Sequence, residues 1–200
     1  MMMKNKISSV YPNSNYQTSS APIIYVADFS VRTNKERGVE IHDNVPSNPN
    51  DESQDMDCLQ IHNEQQISID FNIFDDHQFK NEVNEDIEHC ECCLFPSENN
   101  DKSWLAFIEI KDCKAKNISV YKEKTKNQII STVNLFRQNN IIAGQKIYGI
   151  ISMPRKKISF NDAILGDIVT QTALKREYHI LFHATNQISI DNEYLITPIL

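Results

Sequence analysis

The segment from Trp104 to Lys111 constrains the fold more than any other part of this sequence. Read as a β-strand, it is apolar at every even position, whereas its odd positions change from apolar residues to Glu109 and Lys111. One face of the strand therefore belongs in a core, and the other face ends in an acid and an amine. Because an unpaired buried charge costs several kcal/mol, we expect Glu109 and Lys111 to be paired with each other or used in function.

The segment before this strand adds a second acid. Residues 87–95 have the alternation of a strand, and residues 96–103 are rich in turn formers, so the two strands are predicted to form an antiparallel hairpin. If the turn is centred near Asn100, Glu91 lies opposite Glu109, and directly opposed residues share a face. Two carboxylates and a lysine then converge on one patch.

An acid in one strand, a hairpin and then Glu-x-Lys in the next strand resemble the PD-(D/E)XK superfamily of restriction endonuclease-like nucleases. The resemblance covers roughly residues 66–153. It implies a metal-dependent endonuclease that hydrolyses DNA, in restriction or defence, with Mg²⁺ or Mn²⁺ held by Glu91 and Glu109. Lys111 would position or activate the attacking water. The family usually has Asp at the first position, so Asp86, which has the opposite parity and needs a bulge to reach the site, remains the alternative to Glu91.

The residue types suit this chemistry without the family name. Magnesium prefers oxygen ligands and is often held by one or two carboxylates, and an adjacent ammonium can stabilise charge or orient a nucleophile. The alternative interpretation is that Glu109 and Lys111 form a solvated cross-strand pair worth about 0.2 to 1 kcal/mol. The chain has no Gly-rich phosphate loop and no GxSxG motif, so nucleotide hydrolysis and serine-hydrolase chemistry have little support.

The remaining pattern predicts an α/β fold with a mixed central β-sheet flanked by helices, and the resemblance implies a restriction endonuclease-like core. Strands are expected over 66–74, 146–153, 178–183 and 187–190, and helices over 126–139 and from a cap at Ser159 or Asn161 to about residue 176. A capping box over residues 125–128 predicts the start of the first helix. In the second helix, Ile168 and Val169 are predicted to face inward with Ile164 and Leu165.

The sequence predicts two regions. Residues 1–57 are expected to be a flexible, acidic N-terminal extension with one strand near 22–31, because residues 43–57 carry almost no apolar side chains. Residues 58–200 are expected to form the nuclease-like α/β domain. The chain has no apolar run of membrane-spanning length and no apolar stretch after Lys4 and Lys6 that would form a signal peptide, so we expect a cytoplasmic protein.

Charge is distributed unevenly along the chain. The formal net charge is −7, yet the 47 residues from 111 to 157 carry a net +9 and begin at Lys111. This block predicts contacts with DNA phosphates. The candidate residues in it are Lys114, Lys116, Lys122, Lys124, Lys126, Arg155, Lys156 and Lys157.

Other interpretations of the charge and the motif stay open. The block can be a solvated basic face. The chain can be a catalytically inactive module of the same fold that binds nucleic acid or protein. It can also be an interaction protein whose acidic residues 43–57 contact a basic partner. No membrane partner is expected, and a homodimer or a protein partner is compatible with the sequence.

The five cysteines raise the question of zinc, because His89, Cys90, Cys92 and Cys93 lie close together. Alternation sends Cys90 and Cys92 to one face and Cys93 to the other, and the chain has no second Cys-x-x-Cys pair. We therefore predict buried structural thiols rather than a zinc site. His89 shares a face with Glu91, and Gln128 at the start of the predicted helix could reach the same site.

Overall fold

A computed structural model describes residues 2–35, 38–75, 77–112 and 118–199 of the chain. The described part contains four helices: α1 (Met3–Val10), α2 (Ile118–Gln138), α3 (Asn161–Leu165) and α4 (Ile168–Tyr178). The first seven strands are β1 (Asn15–Ser19), β2 (Ile23–Asp28), β3 (Val39–His42), β4 (Ser47–Asn48), β5 (Asp51–Asp55), β6 (Leu59–His62) and β7 (Ile69–Ile73). The last six are β8 (Cys92–Pro96), β9 (Trp104–Ile110), β10 (Lys146–Ser152), β11 (Leu181–Ala184), β12 (Gln187–Asn192) and β13 (Leu195–Pro198).

The larger sheet has the strand order β1-β7-β8-β9-β10-β11. Its first half is antiparallel, while β9, β10 and β11 are parallel to one another. Parallel neighbours need a long crossover, and α2 provides it between β9 and β10. The prediction of an α/β fold with a mixed sheet flanked by helices is therefore confirmed.

Strand β9 lies inside this sheet and is buried along its whole length. The indole nitrogen of Trp104 donates to the Asn192 carbonyl at 2.9 Å, so the even face packs against the second sheet. On the odd face, the ring of Phe107 makes an edge contact with Phe136 of α2, with centroids 5.1 Å apart. Glu109 lies on this odd face by the two-residue period of the strand, and its side chain is fully buried.

The second sheet joins both ends of the chain. Its order is β13-β12-β6-β2-β3, and β12 runs parallel to β6. The predicted strand near 22–31 is present as β2, which pairs with β6, while β1 pairs with β7 of the larger sheet. Residues 1–57 therefore differ from the predicted flexible extension, because β1 and β2 lie inside two ladders. A boundary at residue 57 does not separate structural units.

The acidic segment 43–57 contains the hairpin of β4 and β5. Every residue of β5 is exposed, in agreement with the scarcity of apolar residues there. The open end of the hairpin is nevertheless held in place. The Met56 amide donates to the Pro46 carbonyl at 2.8 Å, and Met56 packs beside Phe29 in a small apolar cluster. The segment is therefore an exposed ribbon whose base is anchored.

The first long helix begins earlier than predicted. Helix α2 is already helical at Ile118, and the Thr125 hydroxyl donates to the Tyr121 carbonyl at 2.9 Å inside the helix. The capping box prediction at 125–128 is therefore wrong, because Thr125 bonds back one turn instead of capping an end. Its apolar face is as predicted, with Ile129, Val133 and Phe136 buried.

The second predicted helix, capped by Ser159 or Asn161 and ending near residue 176, is divided into α3 and α4. Gly166 has φ +80°, outside the helical range, and a Cβ there would meet the Cβ of Thr170 at 3.0 Å. Asp167 then starts α4 by accepting the Thr170 amide at 2.9 Å. Ile164 and Leu165 are buried as predicted, but the inward placement of Ile168 and Val169 is wrong, since both are exposed. Within the described residues, no helix has the length and apolar character needed to span a membrane.

Candidate active site

Three predicted site residues converge where β9 ends. The Lys111 ammonium nitrogen lies 2.5 Å from Oε1 of Glu109 and 3.7 Å from Oε1 of Glu91. Lys111 is held in place by its own backbone, because its amide donates to the Ser152 carbonyl at the end of β10 at 2.9 Å. The two parallel strands therefore fix the position from which the lysine reaches both carboxylates.

Glu91 precedes β8 at an irregular point of the ladder. Its amide donates to the Ile108 carbonyl of β9 at 3.0 Å, while its carbonyl accepts the Phe74 amide beyond β7 at 3.0 Å. In a regular antiparallel pair, one residue exchanges both bonds with the same neighbour. Glu91 instead bridges two neighbours, which ends the regular pairing and turns its side chain toward Lys111. The β8–β9 register, with Cys92 opposite Ile108, is the one predicted from the turn.

The Glu109 carboxylate is buried and poorly satisfied. Its side chain is 0 % exposed. Within the described part of the chain, neither of its oxygens has a hydrogen-bond donor in proper geometry, so the contact with Lys111 is an ion pair. A buried carboxylate lacking donors is uncommon, because desolvation then goes uncompensated. This arrangement leaves Oε2 as an oxygen without a partner among the described residues.

Burial and neighbouring charges shift the pKa values of both Glu109 and Lys111. Burial raises the pKa of Glu109 to about 8, against the lowering effect of Lys111, and the charge of Glu91 raises it further. Burial alone would lower the pKa of Lys111, but the carboxylates of Glu109 and Glu91 outweigh it and raise that pKa. The neighbouring carboxylates therefore favour the charged form of Lys111, while burial favours the protonated form of Glu109.

Asp28 is a third acid near this group that the sequence did not single out. It lies at the end of β2, is nearly buried, and accepts the Ser30 amide at 2.8 Å. Its charge contributes to raising the pKa values of both Glu109 and Lys111. The strand containing Asp28 was predicted, but the pairing that brings it near β9 left no signal in the sequence.

A cleft of about 210 Å³ opens beside Glu91. It is lined by Asp86, Ile87, Glu88, His89, Glu91, Lys124 and Gln128. The Gln128 amide nitrogen donates to the His89 carbonyl at 2.9 Å, so α2 is tied to the segment that carries Glu91. The Gln128 Oε1 is buried and has no hydrogen-bond partner among the described residues. The cleft is therefore lined both by the segment that precedes β8 and by α2.

Asp86, the alternative first acid, lines the same cleft but is engaged elsewhere. Its carboxylate pairs with the Lys80 ammonium and lies 3.1 Å from Nδ1 of His77. The hydrogen bond from Lys80 lowers the pKa of Asp86. Glu91, and not Asp86, is thus the acid that shares Lys111 with Glu109.

The basic block is divided between paired and unpaired cations. Lys124 lies 3.7 Å from Glu88, buried Lys126 lies 2.9 Å from Glu123, and Lys157 lies 2.5 Å from Asp57. Arg155 binds Asp112 through two nitrogens. Lys122 and Lys156 are partly exposed, and among the described residues neither has an ion-pair partner. Lys114 and Lys116 lie outside the described residues.

An ion-pair cluster adjoins Lys111 on its C-terminal side. The nearly buried Asp112 accepts from Nε of Arg32 at 2.9 Å, and from Nε and Nη2 of Arg155 at 2.5 and 2.7 Å. Burial raises the pKa of Asp112, but hydrogen bonds from the two guanidinium groups outweigh it, and the pKa is lowered. Arg32 also lies 3.4 Å from Asp57. The cluster ties the β10 loop and the loop after β2 to the end of β9.

The cysteines and the possible metal ligands form no zinc-type cluster among the described residues. Cys58, Cys90, Cys92 and Cys93 are free thiols and all are buried, as predicted, while Cys113 lies outside the described residues. Burial raises the pKa of each described thiol. The ring of His89 packs against Phe79, with centroids 5.0 Å apart. Within the described ranges, no group of three or more His, Cys, Asp or Glu side chains is arranged to hold a metal ion; the two-carboxylate site proposed for Mg²⁺ falls below that number.

Comparison with known proteins gives no assignment: no family model, no curated protein and no solved structure matches this chain.

Proposed function

We propose that this protein is a metal-dependent endonuclease that hydrolyses DNA phosphodiester bonds on a restriction endonuclease-like core. The observation that carries the proposal is the Glu109 carboxylate, which is fully buried beside Lys111 and Glu91 and whose Oε2 has no hydrogen-bond partner among the described residues. A carboxylate with an unshared oxygen, next to a second carboxylate, fits the oxygen ligands that Mg²⁺ or Mn²⁺ takes. Glu91 and Glu109 would hold the ion.

The order of elements supports this core. The antiparallel strands β7, β8 and β9 are followed by α2 and then by β10, which is parallel to β9. This layout is similar to the core of the PD-(D/E)XK nucleases, where the same hairpin carries the acids and the lysine. A role in restriction or in defence against foreign DNA follows from the same analogy.

Each residue has a separate task in the proposed reaction. A bound divalent ion would supply Lewis-acid stabilisation of the phosphoryl oxygen and a lowered pKa for water. Lys111 carries a positive charge held between two carboxylates, so it can orient a water molecule or stabilise a developing negative charge. The Glu91 side chain remains partly exposed and lines the cleft, which gives the site an opening to substrate. Lys122 and Lys156 are available to contact phosphates.

A second candidate function is a catalytically inactive module of the same fold that binds nucleic acid or protein. The 2.5 Å contact between Lys111 and Glu109 favours it, because an ammonium bound this closely neutralises the carboxylate without a metal ion. Glu91 in place of the family's usual Asp favours it as well. The active nuclease requires a metal ion to displace the Lys111 ammonium from Glu109, whereas the inactive module keeps this contact.

Plasmid cleavage distinguishes the two functions. Purified protein is incubated with supercoiled DNA in Mg²⁺ or Mn²⁺, beside EDTA and the variants Glu109→Gln and Lys111→Met. Glu98→Gln and Lys102→Met are matched controls, because both residues are exposed in the turn between β8 and β9. The proposal expects metal-dependent nicking that both site variants abolish and both control variants retain. Cleavage that survives in the site variants contradicts the proposed site, and salt-sensitive DNA binding without cleavage supports the inactive module.

A further inference from the structure

Helix α4 presents an apolar surface that the fold leaves uncovered. None of its 11 residues, all within the described part of the chain, is buried. Ile168 is 74 % exposed and Val169 is 71 % exposed, next to each other in the first turn. With Thr172 and Ala173 one turn later, they line a shallow groove that ends at Arg176 and Glu177.

The helix receives little support from the rest of the molecule. On its inner side, Leu174 and Tyr178 are only partly buried against the core. Isolated helices of this length are marginal in water, and their stability in proteins comes mainly from packing of an apolar face. The apolar residues of α4 that carry the most surface point away from the core. This distribution is typical of a helix that packs against another molecule.

The charges of α4 are arranged to match a second copy of the same helix. Asp167 precedes the first turn, and Lys175, Arg176 and Glu177 lie in the last turn, where the two cations outnumber the one acid and leave a net positive charge. When two such helices run antiparallel about a two-fold axis between Val169 and Thr172, each basic end lies beside the acidic end of the other. The helix dipoles are also opposed, which is favourable. A two-fold contact requires a self-complementary patch. The patch on α4 begins with an acid at its N-terminal end, continues through the exposed apolar residues and ends with a net positive charge, so that reversing its direction in the second copy brings opposite charges together.

We propose that α4 is a self-association surface through which two copies of this chain form an antiparallel helix pair. Ile168 and Val169 of one copy lie over Ala173 and Thr172 of its partner. The small side chains of Thr172 and Ala173 let the helices approach closely, and the aliphatic stem of Arg176 covers the edge of the apolar strip. The proposal is independent of the nuclease function, since α4 contributes no residue to the candidate active site.

Sedimentation velocity of the full-length chain over a concentration series tests this inference. The wild-type protein is expected to dimerise reversibly. Val169→Glu and Ile168→Lys should each weaken the dimer at least tenfold, because each places a charge in the apolar contact between the two helices, where the charge loses water on association. Val83→Glu is the matched control, since Val83 is 72 % exposed and lies outside α4. Circular dichroism melting verifies that each variant is folded.

Three results would overturn the inference. The first is a wild-type chain that stays monomeric up to the highest soluble concentration. The second is a dimer that both α4 variants retain unchanged. The third is equal dissociation by Val83→Glu and the α4 variants, which would place the contact elsewhere. A disulfide that forms between a Val169→Cys copy and a Thr172→Cys copy when the two variants are mixed under mild oxidation, and in neither variant alone, would support the antiparallel register directly.

Discussion

The Lys111 ammonium lies 2.5 Å from the buried Oε1 of Glu109, two residues earlier on the same face of one strand. Because the pair lies at the end of β9, the lysine backbone bonds to β10 while its side chain folds back over the acid. The second oxygen of Glu109 is left without a hydrogen-bond donor among the described residues. The buried oxygen can be satisfied in two ways: the carboxylate takes up a proton, or it binds a metal cation.

The first prediction concerns pH and stability. Glu109 has an ordinary pKa of 4.5, which applies to the unfolded chain, and a pKa of about 8 in the folded protein. Between these values the folded state holds a proton that the unfolded state has released, so the free energy of unfolding falls as pH rises from 4.5 to about 8. Glu109→Gln cannot lose that proton, and its stability curve should be flatter across this range. Urea unfolding at a series of pH values measures the difference.

Glu98→Gln is the control for this titration, because Glu98 is exposed in the hairpin turn. Its curve should run parallel to that of the wild-type protein. A wild-type curve and a Glu109→Gln curve with the same slope would show that Glu109 titrates as an ordinary carboxylate.

The second prediction concerns metal binding and follows from the proposed function. A divalent ion must displace the proton of Glu109, so Mn²⁺ affinity should rise about tenfold per pH unit below the folded pKa of Glu109. Isothermal titration at pH 6 and 7 measures it, corrected for buffer ionisation. Glu109→Gln should abolish the binding, and Glu98→Gln should leave it intact. Affinity independent of pH would argue for ligands other than Glu109.

The third prediction concerns the ion-pair cluster around Asp112. Asp112→Asn leaves the guanidinium groups of Arg32 and Arg155 without their shared, nearly buried counter-charge. Loss of one partner of a buried pair costs roughly 3 to 5 kcal/mol. Asp57→Asn affects a more exposed carboxylate and should cost about 1 kcal/mol or less. Urea unfolding of the two variants at neutral pH should show this order, and equal losses would contradict it.

The fourth prediction concerns DNA contacts. Lys122 and Lys156 have no ion-pair partner in the described chain, whereas Lys157 must leave Asp57 before it can bind a phosphate. Lys122→Gln and Lys156→Gln should each reduce the slope of log affinity against log salt by about one, and Lys157→Gln by less. Fluorescence anisotropy with a short duplex over a salt series measures the slopes. Equal slopes for all three variants would show that the internal ion pairs do not limit DNA contact.

The sequence alone determined the local geometry of the candidate site. The strict two-residue period of residues 104–111 places Glu109 and Lys111 on one face, since side chains alternate in any strand. The turn formers after residue 95 set the hairpin register that brings Glu91 beside them. The helical period of α2 and the crossover to β10 follow from equally local signals. These features depend on neighbours in the chain, which a sequence displays directly.

Only the tertiary structure decided what surrounds these residues. Arg32 reaches Asp112 across 80 positions, and Asp28 approaches Glu109 from the second sheet, because β2 pairs with β6 rather than lying in a flexible extension. Such contacts depend on how the two sheets pack and leave no periodic pattern. The burial of Glu109, and with it the raised pKa, is likewise set by the tertiary packing around the end of β9. The helix is interrupted at Gly166, whose φ is +80°, and Ile168 and Val169 beyond it face outward, against the period that predicted them inside.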